Sequence, residues 1–190
     1  MPSERPPIYT IGYGSRPIEA FLNVLERYSI RYLLDVRSSP SSRFNKDYNK
    51  GDLQHHLYYS GIKYGFFGDL MGGRPDDPSC YYPNGQVDYD ACRRSAPFLH
   101  GMSRLRKAYE GGHPVVLMCS EGRPEDCHRS KMIGVALDKA GIPVRHIDTA
   151  GRLRTQNEII EIVTGGQSDM FKDSPTTGLA SRGQYRPSRS

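Results

Sequence analysis

Short apolar runs alternate along this chain with stretches whose apolar residues recur at helical spacing. Ile8 to Ile11 is the first run, closed by the turn Gly12-Tyr13-Gly14-Ser15. Pro17 suits the first turn of a helix whose buried side is Ile18, Phe21, Leu22 and Leu25. Ile30 to Val36 reads as a second strand, followed by the polar loop Arg37 to Asn45. Asp52 is placed to cap a short helix through Tyr59 that Gly61 ends, and Lys63 to Phe67 suits a small strand. Val115 to Met118, bounded by Gly111, Gly112 and Pro114, reads as a buried strand. A polar loop then leads into a helix with Met132, Ile133, Ala136, Leu137 and Ala140 on its apolar side and Gly141 as its stop. Val144 to Ile147 is a further strand. Thr155 and Glu158 have capping-box spacing for a last helix ending near Gly165.

Three stretches depart from this alternation. Gly68 to Asp88 is rich in Gly, Pro and Asp and reads as a long surface loop, a functional candidate at that length. Asp88 to Glu110 reads as helix with a break at Pro97. From Gln167 onward Ser, Pro, Gly and Arg dominate, which predicts a disordered basic tail over 167–190, dispensable for folding of a single domain over 6–166.

Strands alternating with helices define an α/β class, a three-layer α/β/α fold with a mainly parallel central sheet. In such a sheet the loops after the main strands open on one edge. Tyr13 and Ser15, Asp35 and Arg37, and the segment Cys119 to Arg129 are therefore expected to gather there.

Composition changes this picture little. A chain of 190 residues suits one domain with a sizeable core. There is no apolar run of about 18 residues and no signal-like start, so a cytoplasmic protein without a membrane partner is expected. The four unevenly spaced cysteines read as thiols rather than a disulfide framework. The formal charge of +5 invites a nucleic-acid reading, but Ser174 to Ser190, with Arg182, Arg186 and Arg189 and no acid, alone supplies +3. The case from charge is weak.

Chemistry concentrates in Cys119 to Ser130, which holds two thiols, an imidazole, three acids and two guanidiniums in twelve residues behind a strand. Cys119, Glu121, His128 and Asp35 are the catalytic candidates. Arg37, Arg43, Arg74, Arg123 and Arg129, with Tyr13 and Ser15, are the substrate-binding candidates, because guanidiniums on loops at one edge suit an anionic ligand. Asp35 is better suited to orienting an arginine than to acting as a base. Cys127 reads as packing at the helix start. Cys119, Cys127 and His128, with His146, could supply four zinc ligands, but adjacent ligands rarely converge and no Cys-x2-Cys pair exists, so no metal and no cofactor is expected. Tyrosines and phenylalanines from Tyr58 to Tyr82, interleaved with Arg43, Lys46, Lys50, Lys63 and Arg74, are compatible with base stacking.

Several motifs carry a resemblance. Ile11-Gly12, Leu34-Asp35-Val36-Arg37-Ser38 with Pro40 and Arg43, Gly61-Ile62-Lys63-Tyr64, Gly72-Gly73-Arg74 and Cys119-x-Glu121-x-x-Pro124-x-x-Cys127-His128-Arg129 resemble the family called domain of unknown function 488. Tyr13 and Gly14 depart from it, standing where His and Ser are expected. The resemblance implies the fold and the place of the site and leaves the reaction open. A fainter likeness is to rhodanese-type sulfurtransferases, whose strand ending Asp-Val-Arg and Cys loop opening a helix are echoed here. The Cys-x5-Arg phosphatase spacing is not met, since Glu125 stands six residues after Cys119.

Three functions follow as alternatives. The leading one is an enzyme acting on a phosphate-bearing substrate such as a nucleotide or nucleic acid, with its site at the sheet's carboxyl edge. Another is a thiol sulfurtransferase using Cys119. The third is a noncatalytic nucleic-acid-binding module.

Overall fold

The computed structural model describes residues 5–166 and 174–186. A sheet of six strands has the order β3-β2-β5-β1-β6-β7. Its strands are β1 (Ile8–Gly12), β2 (Tyr32–Asp35), β3 (Lys63–Phe66), β5 (Val115–Cys119), β6 (Val144–Ile147) and β7 (Leu153–Thr155). All neighbours are parallel except β7, which runs antiparallel to β6 at the edge. The separate pair β4 (Gln86–Asp88) and β8 (Ala180–Gln184) is antiparallel.

Apolar residues line both faces of the central strands, as a sheet covered on both sides requires. On β5, Val115, Leu117 and Cys119 join one core cluster, and Val116 and Met118 join the other. The second cluster is closed by α1 (Ile18–Arg27) and α2 (Lys50–Tyr59) through Phe21, Leu25, Leu53 and Leu57. The first is closed by α3 (Gly68–Met71), α4 (Tyr89–Arg94), α5 (Ala96–Glu110) and α6 (Val135–Lys139), with Met71, Cys92, Leu105 and Leu137. A last helix, α7 (Gln156–Thr164), has the expected Thr155–Glu158 capping box and ends at Gly165 in the left-handed region. The three-layer α/β fold is thus as its alternating pattern predicts.

The strand order also fixes a switch point. From β1 the chain moves outward to β2 through α1 on one face. From β5 it moves the other way, to β6 through α6 on the opposite face. Loops that leave in opposite directions open a crevice at the carboxyl ends of the strands, where α/β proteins bind ligands.

Several expected elements are corrected. The helix of the second layer starts after Asn49 rather than at a cap on Asp52, which lies in its first turn. The break between α4 and α5 falls at Ser95, whose hydroxyl accepts from Phe98 N, with Pro97 tolerated in the first turn that follows. Gly68 to Asp88 is not one irregular loop: it holds α3, a 3-10 turn at Pro78–Cys80 and β4.

The largest correction concerns the tail. Its residues 167–173 and 187–190 lie outside the described residues, but 174–186 carry β8, ordered by hydrogen bonding rather than by an apolar face. Val87 N donates to Ser181 Oγ at 2.9 Å, Gln86 Nε2 to Ser181 O at 2.9 Å, and Tyr185 N to Gly85 O at 2.7 Å. Leu179 and Tyr185 pack on the core. Truncation after residue 173 should therefore destabilise the protein by on the order of 2 kcal/mol, a fall of ~5 °C in Tm for a domain of this size. An unchanged midpoint in a thermal melt of the truncated chain would mean β8 contributes nothing.

Candidate functional site

The β5 loop and the helix after it are shaped to bring side chains together. A 3-10 turn at Pro124–Asp126 is followed by Cys127 in an extended conformation (φ −112°, ψ 148°) and His128 in a helical one. The helix then begins with a π-helical stretch, Arg129–Gly134, a form often found at functional sites. Because Cys127 precedes the helix and His128 opens it, neighbouring side chains can converge instead of splaying around a helix axis.

They do converge, together with Cys119. Cys119 Sγ lies 3.8 Å and Cys127 Sγ 3.7 Å from His128 Nδ1, and the three ligand atoms are all within 4.8 Å of one another. His128 Nε2 lies 3.1 Å from Val36 O. A carbonyl can only accept, so Nε2 carries the proton, and in the neutral ring the Nδ1 lone pair faces both sulfurs. Gly73 makes room for this ring: a Cβ there would stand 2.8 Å from Nδ1.

The two thiols are not equivalent. Cys119 has its pKa raised, first by its hydrogen bond to Cys127 and then by burial. Cys127 is lowered: burial opposes ionisation, but the bond from Cys119 and the charge of Arg129 outweigh it, and Arg129 N donates to Cys127 Sγ at 3.5 Å. Negative charge in the pair therefore belongs on Cys127, the residue read from the sequence as packing, while Cys119 holds the proton.

Arg37 supplies the neighbouring wall. Asp35, fully buried, accepts from Arg37 Nε at 2.9 Å, Arg37 Nη2 at 2.6 Å, Arg37 N at 3.1 Å and Tyr64 Oη at 2.9 Å. Asp35 is thus an orienting group. Burial opposes the Arg37 charge, but the bond and charge of Asp35, with a smaller contribution from Tyr13, outweigh it and raise the Arg37 pKa, so its charge is fixed. Arg37 Nη1 is buried and has no hydrogen-bond acceptor among the described residues. The Tyr13 ring, 5.4 Å from the guanidinium carbon, answers it only weakly.

The two thiols, His128 and Arg37 border one cleft of about 1330 Å³, which Asp35 does not reach. Of the expected site residues, Cys119, Glu121, His128, Arg37, Arg43 and Arg74 line it. The others do not. Arg129 is fully buried beneath the loop, donating to Thr10 Oγ1 at 3.2 Å, to Gly122 O at 3.0 Å and to Glu121 O. Arg123 turns outward to Glu125 and Asp126. Tyr13 is buried in a stack on Tyr48, Ser15 sits exposed on its turn, and neither borders the cleft, which lies over β2 and β5 rather than β1. Residues that sequence reasoning missed come from Cys127 and from the tail: Tyr185 and Arg186 border the cleft, Arg74 stacks on Tyr185 at 4.0 Å, and Arg182 pairs with Asp126 at 2.8 Å. Adjacency gave no signal for the first, since neighbouring side chains usually diverge, and β8 has none.

Fold and site together define a parallel α/β protein with a buried thiol–imidazole centre at the carboxyl edge of its sheet. The chain belongs to the Domain of unknown function DUF488 family, whose model matches residues 17–135. No curated protein and no solved structure matches it. Among the described residues, no helix is long and apolar enough to cross a membrane.

Proposed function

We propose that the protein is an enzyme acting on a phosphate-bearing substrate held in the cleft, with the reacting atom above the Cys119–Cys127–His128 centre. One observation carries this reading: the unpartnered Nη1 of Arg37. A buried guanidinium donor left without an acceptor is costly, and native structures rarely leave one so without a reason. An oxyanion is the natural acceptor. Val36, one residue away, is the residue that positions His128, so an anion on Arg37 would lie beside the imidazole and thiols.

The outer wall supports the same reading. Arg43, Arg74 and Arg186 are exposed, border the cleft and have no carboxylate partner among the described residues. The acids Asp69, Asp76, Asp77, Glu121 and Asp126 also border it, which disfavours nonspecific attraction of a polyanion. Of these, Asp126 is neutralised by Arg182, and Asp77 accepts from Ser79 N at 2.8 Å. The balance suits a small ligand with a localised phosphate better than a nucleic-acid backbone.

Thermal melts with inorganic phosphate, a nucleoside monophosphate and a short single-stranded oligonucleotide test this. Ligand at about 100 times Kd should stabilise the fold by about 2.7 kcal/mol. Arg43→Ala, on the exposed wall, should keep the ligand-free Tm and weaken binding ~10-fold. No stabilisation by either small phosphate ligand would overturn the proposal; stabilisation by the oligonucleotide alone would transfer the site to nucleic-acid binding.

A further inference from the structure

The geometry points to a metal site: we propose that Cys119 Sγ, Cys127 Sγ and His128 Nδ1 bind a thiolate-preferring divalent ion such as Zn²⁺, with its fourth position open to the cleft. Convergence of the adjacent pair Cys127 and His128, unexpected from the sequence, makes this possible. Tetrahedral zinc with Zn–S of about 2.3 Å and Zn–N of about 2.05 Å requires S···N separations of about 3.55 Å. The observed S···N separations of 3.8 and 3.7 Å are within a few tenths of an ångström of that, and the two sulfurs, within 4.8 Å of each other, need to sit about 3.75 Å apart. The donor set, two sulfurs and one imidazole nitrogen, is soft enough to select zinc over the oxygen-preferring magnesium and calcium.

The surroundings agree. A histidine that binds metal through one nitrogen usually donates its other N–H to a carbonyl or carboxylate, and His128 already donates to Val36 O. Backbone N–H donation from Arg129 to Cys127 Sγ is of the same supporting kind. No fourth His, Cys, Asp or Glu joins the cluster among the described residues. His146, which the sequence offered as a conceivable fourth ligand while no metal was expected, is enclosed between Thr10 at 2.8 Å and Gln156 at 2.6 Å. Three protein ligands with an open position is the arrangement of catalytic zinc sites, whereas structural sites are closed by four. All three donors border the cleft, so the open position faces the space where the proposed phosphate would lie. Binding is written as Zn²⁺ joining the Cys127 thiolate, the Cys119 sulfur and Nδ1, with the proton held by Cys119 released to solvent.

The inference extends the proposed function, and its test separates the two. Full-length protein stripped of metal is titrated with Co²⁺, a spectroscopic stand-in for Zn²⁺, and then with Zn²⁺. One equivalent of Co²⁺ should give thiolate-to-cobalt charge-transfer absorption that Zn²⁺ abolishes. Cys127→Ser and His128→Gln should each weaken binding at least ~10-fold, while Cys92→Ser should leave it unchanged. Should the variants fail to fold, wild-type protein suffices: Zn²⁺ should slow iodoacetamide modification of Cys119 and Cys127 at least tenfold, but not of Cys80 or Cys92. Cobalt spectra without thiolate bands, or equal alkylation with and without Zn²⁺, would overturn the metal site. Phosphate melts repeated on the stripped protein distinguish the readings. Phosphate stabilisation without metal uptake refutes only the metal. Metal uptake with no phosphate effect, with or without Zn²⁺, refutes only the phosphate cleft.

Discussion

Replacing Arg129 by leucine should cost the fold about 3–5 kcal/mol, the range for breaking a buried charged network. Arg129 is fully buried and takes part in no ion pair with a carboxylate among the described residues. Its guanidinium donates to Thr10 Oγ1 and to the carbonyls of Glu121 and Gly122, while its charge faces Cys127. Leucine takes the donor from buried Thr10 Oγ1 and from two part-buried carbonyls, and a buried oxygen left without its donor costs about 1–3 kcal/mol. The β5 loop is held at this point from both sides. Gly12 at the end of β1 approaches so closely that a Cβ would stand 1.6 Å from Glu121 O. Once the guanidinium is gone, the loop carrying Cys119 and Cys127 loses its inner brace. Arg129→Lys should recover part of the loss, because an ammonium can donate to some of the same oxygens. Urea unfolding is the measurement. A loss below about 1 kcal/mol for Arg129→Leu would show that water replaces the guanidinium and that the brace is not needed.

The fold was legible because the hydrophobic effect writes it as periodicity. Val115 to Met118 is apolar on both alternating faces, which only a doubly covered strand requires, and Ile18, Phe21 and Leu25 mark a single helix face. The capping box at Thr155 and Glu158 was legible because side chain and backbone satisfy each other locally. What escaped were elements held by distant partners. β4 and β8 lack apolar alternation, and each is ordered by the other across 94 residues, as the bond from Val87 N to Ser181 Oγ shows. No local window contains that information.

The site divides in the same way. Parallel topology placed Arg37, Cys119 and His128 at one edge, as a strand-loop-helix reading implies. It could not decide which arginines turn inward. Arg43 and Arg74 reach the cleft, Arg123 finds Glu125 and Asp126, and Arg129 folds under its own loop. Nor could spacing reveal the meeting of Cys127 and His128, which depends on one extended residue between a 3-10 turn and a π-helical turn.

Between pH 6.5 and 4 the protein should lose about 3 kcal/mol of stability through His146 alone. His146 is fully buried on β6. Gln156 Oε1 lies 2.6 Å from its Nε2 and must accept, so Nε2 carries the proton and Nδ1 accepts from the Thr10 hydroxyl at 2.8 Å. A neutral ring satisfies every partner. A second proton on Nδ1 would face Thr10 Oγ1, which already receives Arg129 Nε. Burial foremost, opposed by the Gln156 bond and reinforced by the charges of Arg129 and Arg145, lowers the pKa from 6.5 to about 4. The unfolded chain takes its proton near 6.5 and the folded chain only near 4. In that window the unfolded state holds more protons, so stability falls as the pH falls. A displacement of about 2.5 units corresponds to about 3 kcal/mol at completion, and about 2 kcal/mol of it is already lost at pH 5. Asp148 and Glu158, whose pKa values are lowered, add losses in the acid range. These are common to wild type and His146→Gln, so the difference between their urea-unfolding profiles isolates the imidazole. His146→Gln should start less stable at pH 7 and then run flatter, the two curves converging by about 2 kcal/mol at pH 5. Parallel profiles would show that His146 titrates in the fold as it does in the unfolded chain.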